Sequence, residues 1–149
     1  MIAVEIHSAP NNTKPDASSS SAAFAASLAE IMSWDWDGAR LVVEHCDAPS
    51  PHPAPKGFLT IEAEIAAIKT ANENAELVSK SGAVGITINW ARSVLETRDL
   101  ETPLTHLKAA GAAGCLAGVM FSGCPSEEAP ANPYGTWRDC HMYGTAYFY

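Results

Sequence analysis

Four short apolar runs divide the chain, and they constrain its fold more than any other feature. The runs are Ile2–Ile6, Arg40–His45, Ala83–Ile88 and Leu116–Phe121. Polar loops and segments with apolar residues at helical spacing separate them. Because neighbouring parallel strands need a long crossover, which is usually a helix, this alternation predicts an α/β fold of about four β/α units.

The segments between the runs carry helix signals. Thr60 is a suitable N-cap, and an isoleucine stripe follows it at helical spacing. Thr102–Pro103 is a good helix start, with proline at the first helical position. We assign residues 1–142 to one partial β/α barrel and residues 143–149 to an irregular aromatic tail.

Polar side chains gather at the carboxyl end of each run. Strand alternation places four pairs on one face of the sheet, namely Glu5 with His7, Val42 with Glu44, Thr87 with Asn89, and Met120 with Ser122. The opposite face carries apolar residues suited to packing under helices, including Phe121. An open doubly wound sheet and part of a (β/α) barrel both fit this pattern. Polar groups at one rim favour the barrel, and the chain has no GxGxxG or Walker sequence.

Composition excludes several classes of partner. The net charge is −8, and the nine Lys and Arg residues are scattered, so we expect no nucleic-acid surface. No apolar run approaches the roughly 20 residues of a membrane span, and the N-terminal segment does not resemble a signal peptide. The four cysteines form no CxxC pair. We therefore expect reduced, inert thiols in a cytoplasmic protein.

Several segments resemble an uncharacterised bacterial and fungal family whose members are similar to xylose-isomerase-like, sugar-phosphate isomerase/epimerase TIM barrels. The resemblance runs from about residue 2 to 142, over Val4–Pro10, Ser27–Gly38, Leu41–Asp47, Ile88–Ser93, Phe121–Gly123 and Tyr134–His141. A full barrel takes about 250 residues. The resemblance therefore implies part of a TIM barrel.

The resemblance also implies a rim metal held by Glu, Asp, His and Glu from successive strands. Glu44 matches the first Glu, which would make it a ligand for Mn, Mg, Co or Zn. Asn89 stands at the Asp position, Arg92 at the first His position and Ser122 near a His position. Arg92 cannot bind a metal, so the alternative is a site without any cofactor.

The candidate residues fall into two groups. We predict catalytic roles for Glu44, His7, Asn89 and Arg92, and substrate contacts for Trp90, Ser122, Asp139 and His141. Each has a structural alternative: a hydrogen-bonded His7, an Arg92 ion pair with Glu44 or Glu96, and a core position for Trp90. His45, which has the opposite strand parity to Glu44, is expected to be structural.

Two functions stay open at this point. The first is a sugar or sugar-phosphate isomerase/epimerase-like protein, acting on a small polar substrate by proton transfer next to a carbonyl. The second is a non-catalytic barrel fragment that pairs with a second copy of itself or with a complementing half-barrel. Half of a barrel leaves edge strands and an inner face open, which favours association.

Overall fold

The computed structural model describes residues 2–8, 20–52, 56–127 and 135–140. Within these ranges the chain forms four strands, β1 Ala3–His7, β2 Arg40–His45, β3 Gly85–Asn89 and β4 Leu116–Met120. It also forms five helices, α1 Ser21–Met32, α2 Ile61–Asn72, α3 Ala75–Ser81, α4 Trp90–Thr97 and α5 Thr102–Ala112. None of these helices is long and apolar enough to cross a membrane.

The four strands form one parallel sheet in the order β1-β2-β3-β4. In a doubly wound sheet the order of strand addition reverses at a switch point, whereas these four strands are all added in one direction. Addition in one direction, through helical crossovers, is the arrangement of a β/α barrel. The fold class predicted from the sequence, α/β with about four units of a partial barrel, is therefore confirmed.

The main core lies between one face of the sheet and the helices α1, α2 and α5. Strands β2 and β3 contribute fully buried side chains, Leu41, Val43, Ile86 and Ile88. The helices cover them with Phe24, Leu28, Met32, Ile61, Ile68 and Ala110. Burial of this apolar surface fixes which face of each strand points outward to the helices, and so leaves the other face for the polar residues.

The starts of the helices α2, α4 and α5 follow from cap and first-turn residues. The Thr60 hydroxyl accepts a hydrogen bond from the Ala63 N–H at 3.3 Å, which confirms the predicted N-cap of α2. Pro103 is the second residue of α5, one position later than predicted, because the helix already begins at Thr102. The Asn89 side chain caps α4, and this places one residue in both the sheet rim and a helix start.

Two features differ from the sequence analysis. Helix α3 was not predicted, because it buries no residue and therefore has no apolar stripe to reveal it. Phe121 was expected to pack beneath helices, but it is 64% exposed because β4 ends at Met120. Phe121, with Ile2 and Leu116, contributes apolar surface near the edges of the sheet.

Gly85 provides a direct test of the sheet packing. A Cβ at this position would lie 2.6 Å from Ala117 Cβ, between neighbouring strands. Gly85→Ala should therefore destabilise the fold by about 1–3 kcal/mol, as measured by urea unfolding. Gly111→Ala is the matched control, because nothing lies within 4 Å of its added Cβ. Alanine is the better helix former, so this variant should gain up to about 1 kcal/mol. Equal stability of the two variants would contradict the packing of β3 against β4.

Candidate functional site

Four polar side chains form a continuous row across the carboxyl ends of the strands. His7 Nε2 lies 3.4 Å from Glu44 Oε2. The Asn89 Nδ2 group donates to Glu44 Oε1 at 2.8 Å, and the Ser122 hydroxyl donates to Asn89 Oδ1 at 3.1 Å. The sequence predicted that these residues would share one rim, and the structure brings all four together.

The parallel register places these residues side by side. His7 is paired with Glu44, and Asn89 is paired with Met120, two residues before Ser122. Asn89 Oδ1 also accepts the Arg92 N–H at 3.2 Å, as the cap of α4. Both the nitrogen and the oxygen of the Asn89 amide thus form hydrogen bonds. These bonds fix the orientation of the Glu44 carboxylate next to it.

Burial differs along the row. Glu44, Asn89 and Ser122 are buried, whereas the His7 side chain is 42% exposed and can be reached from solvent. Cys46 lies beside the pair, with Sγ 3.5 Å from His7 Nδ1 and 3.6 Å from Glu44 Oε1. Burial and the adjacent Glu44 charge raise the pKa of the Cys46 thiol to about 12. It therefore remains protonated near neutral pH, as expected for an inert thiol.

Arg92 is held by two carboxylates. Its Nη1 lies 3.0 Å from Asp47 Oδ1, and its Nε lies 3.0 Å from Asp139 Oδ2. The partners proposed from sequence, Glu44 and Glu96, were wrong, because the loop after β2 brings the fully buried Asp47 to the guanidinium instead. Arg92 thus joins the loop after β2 to residues 135–140 at the rim.

An aromatic pair borders the polar row. The rings of Trp90 and Phe121 lie 5.4 Å apart, and each residue is adjacent in sequence to a member of the row. Trp90 is half-buried and packs against the small cluster of Ala91, Val94, Leu95 and Cys124. Asp139 is held at the rim by its ion pair with Arg92. His141 falls outside the described residues.

A second polar cluster lies behind the rim, between the sheet and the helices. His45 is fully buried, with Nδ1 2.7 Å from Glu64 Oε2 and Nε2 3.4 Å from Glu96 Oε2. The His106 ring meets the His45 ring edge-on at 4.7 Å, and His106 Nδ1 lies 3.0 Å from the Ser93 hydroxyl. The structural role expected of His45 thus involves four elements, β2, α2, α4 and α5.

The charges within this second cluster are coupled. Burial by itself lowers the pKa of His45, but the Glu64 hydrogen bond and the Glu96 carboxylate outweigh it and raise that pKa to about 9. Burial and the His45 charge lower the pKa of His106 to about 4. No functional role was predicted from the sequence for Glu64 or His106. For His106 a signal does exist, because this polar residue lies between Pro103 and Ala110 on the buried face of α5.

Two groups of described residues could hold a metal ion. They are His7 with Glu44 and Cys46, and His45 with Glu96 and His106; within each group the potential ligand atoms lie within 4.8 Å of one another. The ligand set implied by the resemblance does not fit. Asn89 presents its NH₂ to Glu44 and its oxygen to Ser122, and the Arg92 guanidinium has no lone pair to offer.

A groove of about 530 Å³ lies at the opposite, amino end of the strands. Trp34, Trp36, Arg40 and Lys80 are among the residues that line it. In β/α barrels the chemistry takes place at the carboxyl ends of the strands, and the amino ends serve stability. We therefore take the polar row, and not this groove, as the candidate site.

Comparison with known proteins shows the family. The model of a domain of unknown function, DUF4862, matches residues 1–146. An uncharacterized protein of Salmonella typhimurium, STM3670, is 40% identical over 142 residues, which are 95% of this chain and 40% of that protein. The chain thus spans less than half the length of this relative. No solved structure matches the chain. The chain belongs to the DUF4862 family.

Proposed function

We propose that the chain carries the rim of a sugar or sugar-phosphate isomerase/epimerase-like site, which transfers a proton next to a carbonyl. The observation that carries this proposal is the continuous row from His7 through Glu44 and Asn89 to Ser122 at the carboxyl ends of the strands. A carboxylate beside an imidazole at this rim is suited to proton transfer, and β/α barrels place their reactive groups here.

Glu44 is the proposed base. Its carboxylate removes the proton from the carbon next to the substrate carbonyl, and the electron pair moves to form an enediolate. His7 is the partly exposed partner, and it donates a proton to the carbonyl oxygen. For an isomerisation, the former carbonyl carbon takes the proton from Glu44, while the hydroxyl on the neighbouring carbon gives its proton to His7 and becomes the new carbonyl. For an epimerisation, the original carbon takes a proton from solvent on its opposite side, the enol hydroxyl returns its proton to His7, and Glu44 releases its proton to solvent. Asn89 holds Glu44 in the required orientation through its 2.8 Å hydrogen bond.

The surroundings favour a small polar substrate. Trp90 and Phe121 offer an apolar wall against which a sugar ring can stack. Ser122, and Asp139 held by Arg92, offer hydrogen bonds to substrate hydroxyl groups. We extend this binding role to His141, which follows Cys140 in sequence.

A divalent metal at Glu44 has weaker support. The implied ligand positions carry Asn89, whose NH₂ faces Glu44, and Arg92, whose guanidinium is not a ligand. The proposed steps therefore use side chains of the chain alone. We propose a cytoplasmic location, because none of the four cysteines forms a disulfide, as is typical of a reducing compartment.

Proton exchange tests this proposal directly. A panel of aldoses, ketoses and their phosphates is incubated with the chain in D₂O, and loss of the proton next to the carbonyl is followed by NMR. Glu44→Gln should lower the exchange rate by about 10²–10⁴-fold, because the amide cannot accept the proton. Glu5→Gln is the matched control, since Glu5 lies on the same face of β1 but outside the row. Exchange that survives Glu44→Gln, or no exchange with any sugar, would refute the proposal.

A second candidate function is a non-catalytic half-barrel that associates with a second copy or with a complementing half. The observation that favours it is exposed apolar surface near the edge strands: Ile2 beside β1 is 75% exposed, Leu116 in β4 is 40% exposed and Phe121 after β4 is 64% exposed. An unpaired strand edge with apolar side chains is a surface that other chains can cover.

Self-association should depend on β4. We expect the purified chain to sediment as a dimer, and Leu116→Lys to shift it toward the monomer by placing a charge on the edge strand. Leu104→Lys on α5 introduces the same change at a comparably exposed leucine, and it should leave the dimer intact. A wild-type chain that remains monomeric over its soluble concentration range would rule out the pairing.

A further inference from the structure

We infer that His45, Glu96 and His106 form a binding site for one Zn²⁺ ion, separate from the polar row. This site lies one layer behind the rim, where α4 and α5 cover the carboxyl end of β2. The three potential ligand atoms lie within 4.8 Å of one another, and His45 Nε2 is 3.4 Å from Glu96 Oε2. Two imidazoles and one carboxylate are a ligand set that suits zinc.

His45 Nε2 is the observation that points to a ligand. Its residue is fully buried, and this nitrogen forms no hydrogen bond among the described residues, since its neighbour Glu96 Oε2 stands off at 3.4 Å. A buried polar atom without a well-formed hydrogen bond is costly, and such atoms are rare in native proteins. Coordination to a cation held between His45, Glu96 and His106 would satisfy this nitrogen.

The surrounding hydrogen bonds resemble the supports of a metal site. Glu64 binds the opposite nitrogen of His45 at 2.7 Å, and Ser8 in turn donates to Glu64. Ser93 holds Nδ1 of His106 at 3.0 Å, and the Ala48 N–H donates to Glu96 Oε2 at 3.2 Å. A carboxylate on the second nitrogen of a ligating histidine fixes the ring and raises its basicity.

The charge balance also favours a divalent cation. When both imidazoles are neutral, as metal ligation requires, and both carboxyl groups are ionised, Glu64 and Glu96 would bring two negative charges into a site that is largely closed to water. Among the described residues, no Lys or Arg forms an ion pair with either carboxylate. A single proton on His45 cancels one charge, whereas Zn²⁺ cancels both and leaves the imidazoles neutral, as ligation requires.

The experiment compares the two groups of donors in the full chain. Chelator-treated protein is titrated with Zn²⁺ against a chromophoric indicator, and a parallel sample is loaded with Co²⁺ for absorption spectra. Cys46→Ser removes a donor at the rim, His106→Gln removes a donor behind it, and His106→Cys replaces that donor with a thiolate. We expect a single zinc ion per chain in wild type and in Cys46→Ser. His106→Gln should weaken binding by more than about tenfold.

The cobalt spectra identify the ligands independently. Wild type and Cys46→Ser should both lack a thiolate-to-cobalt charge-transfer band, and His106→Cys should acquire one while still binding the metal. A wild-type thiolate band that disappears in Cys46→Ser would place the metal at the rim and overturn the inference. Failure of wild type to bind zinc, or wild-type affinity in His106→Gln, would also overturn it. If His106→Gln does not fold, the His106→Cys spectrum decides the question.

Discussion

The two-residue alternation along β2 is the constraint on which both polar sites depend. Leu41 and Val43 are locked into the helix-covered core, so His45 must point the same way and Glu44 the other. Two consecutive residues of one strand therefore serve different environments. Glu44 joins the row across the rim, and His45 joins Glu64, Glu96 and His106 among the helices. A shift of register by one residue would abolish both arrangements.

Much of the architecture could be predicted because it depends on local patterns. The branched runs, the Thr60 cap and the parity of Glu44, Asn89 and Ser122 all follow from strand and helix periods. The partner of Arg92 could not be predicted in this way. It depends on how the loop after β2 folds back to bring Asp47 under the guanidinium, and no periodicity encodes that path. Helix α3 was also not predicted, because none of its residues is buried and its sequence shows no clear apolar stripe.

The helix-covered core and the rim differ in how strongly each depends on any single side chain. Apolar packing under α1, α2 and α5 is spread over many side chains, and each of them contributes a part of the stability. The rim depends on a few directed contacts, and the Asn89 side chain makes four of them: to Glu44, to Ser122, to the N–H of Arg92 and to Met120 Sδ. A single side chain thus couples the orientation of the candidate base to the start of a helix.

This coupling bears on how the rim could evolve. An aspartate in place of Asn89 could still cap α4. It would also put a second carboxylate within hydrogen-bond distance of Glu44 in a buried setting, where two like charges repel strongly. An aspartate at this position would therefore need a cation or a shared proton to offset the repulsion. The neutral amide of Asn89 caps the same helix and donates to Glu44 without that cost.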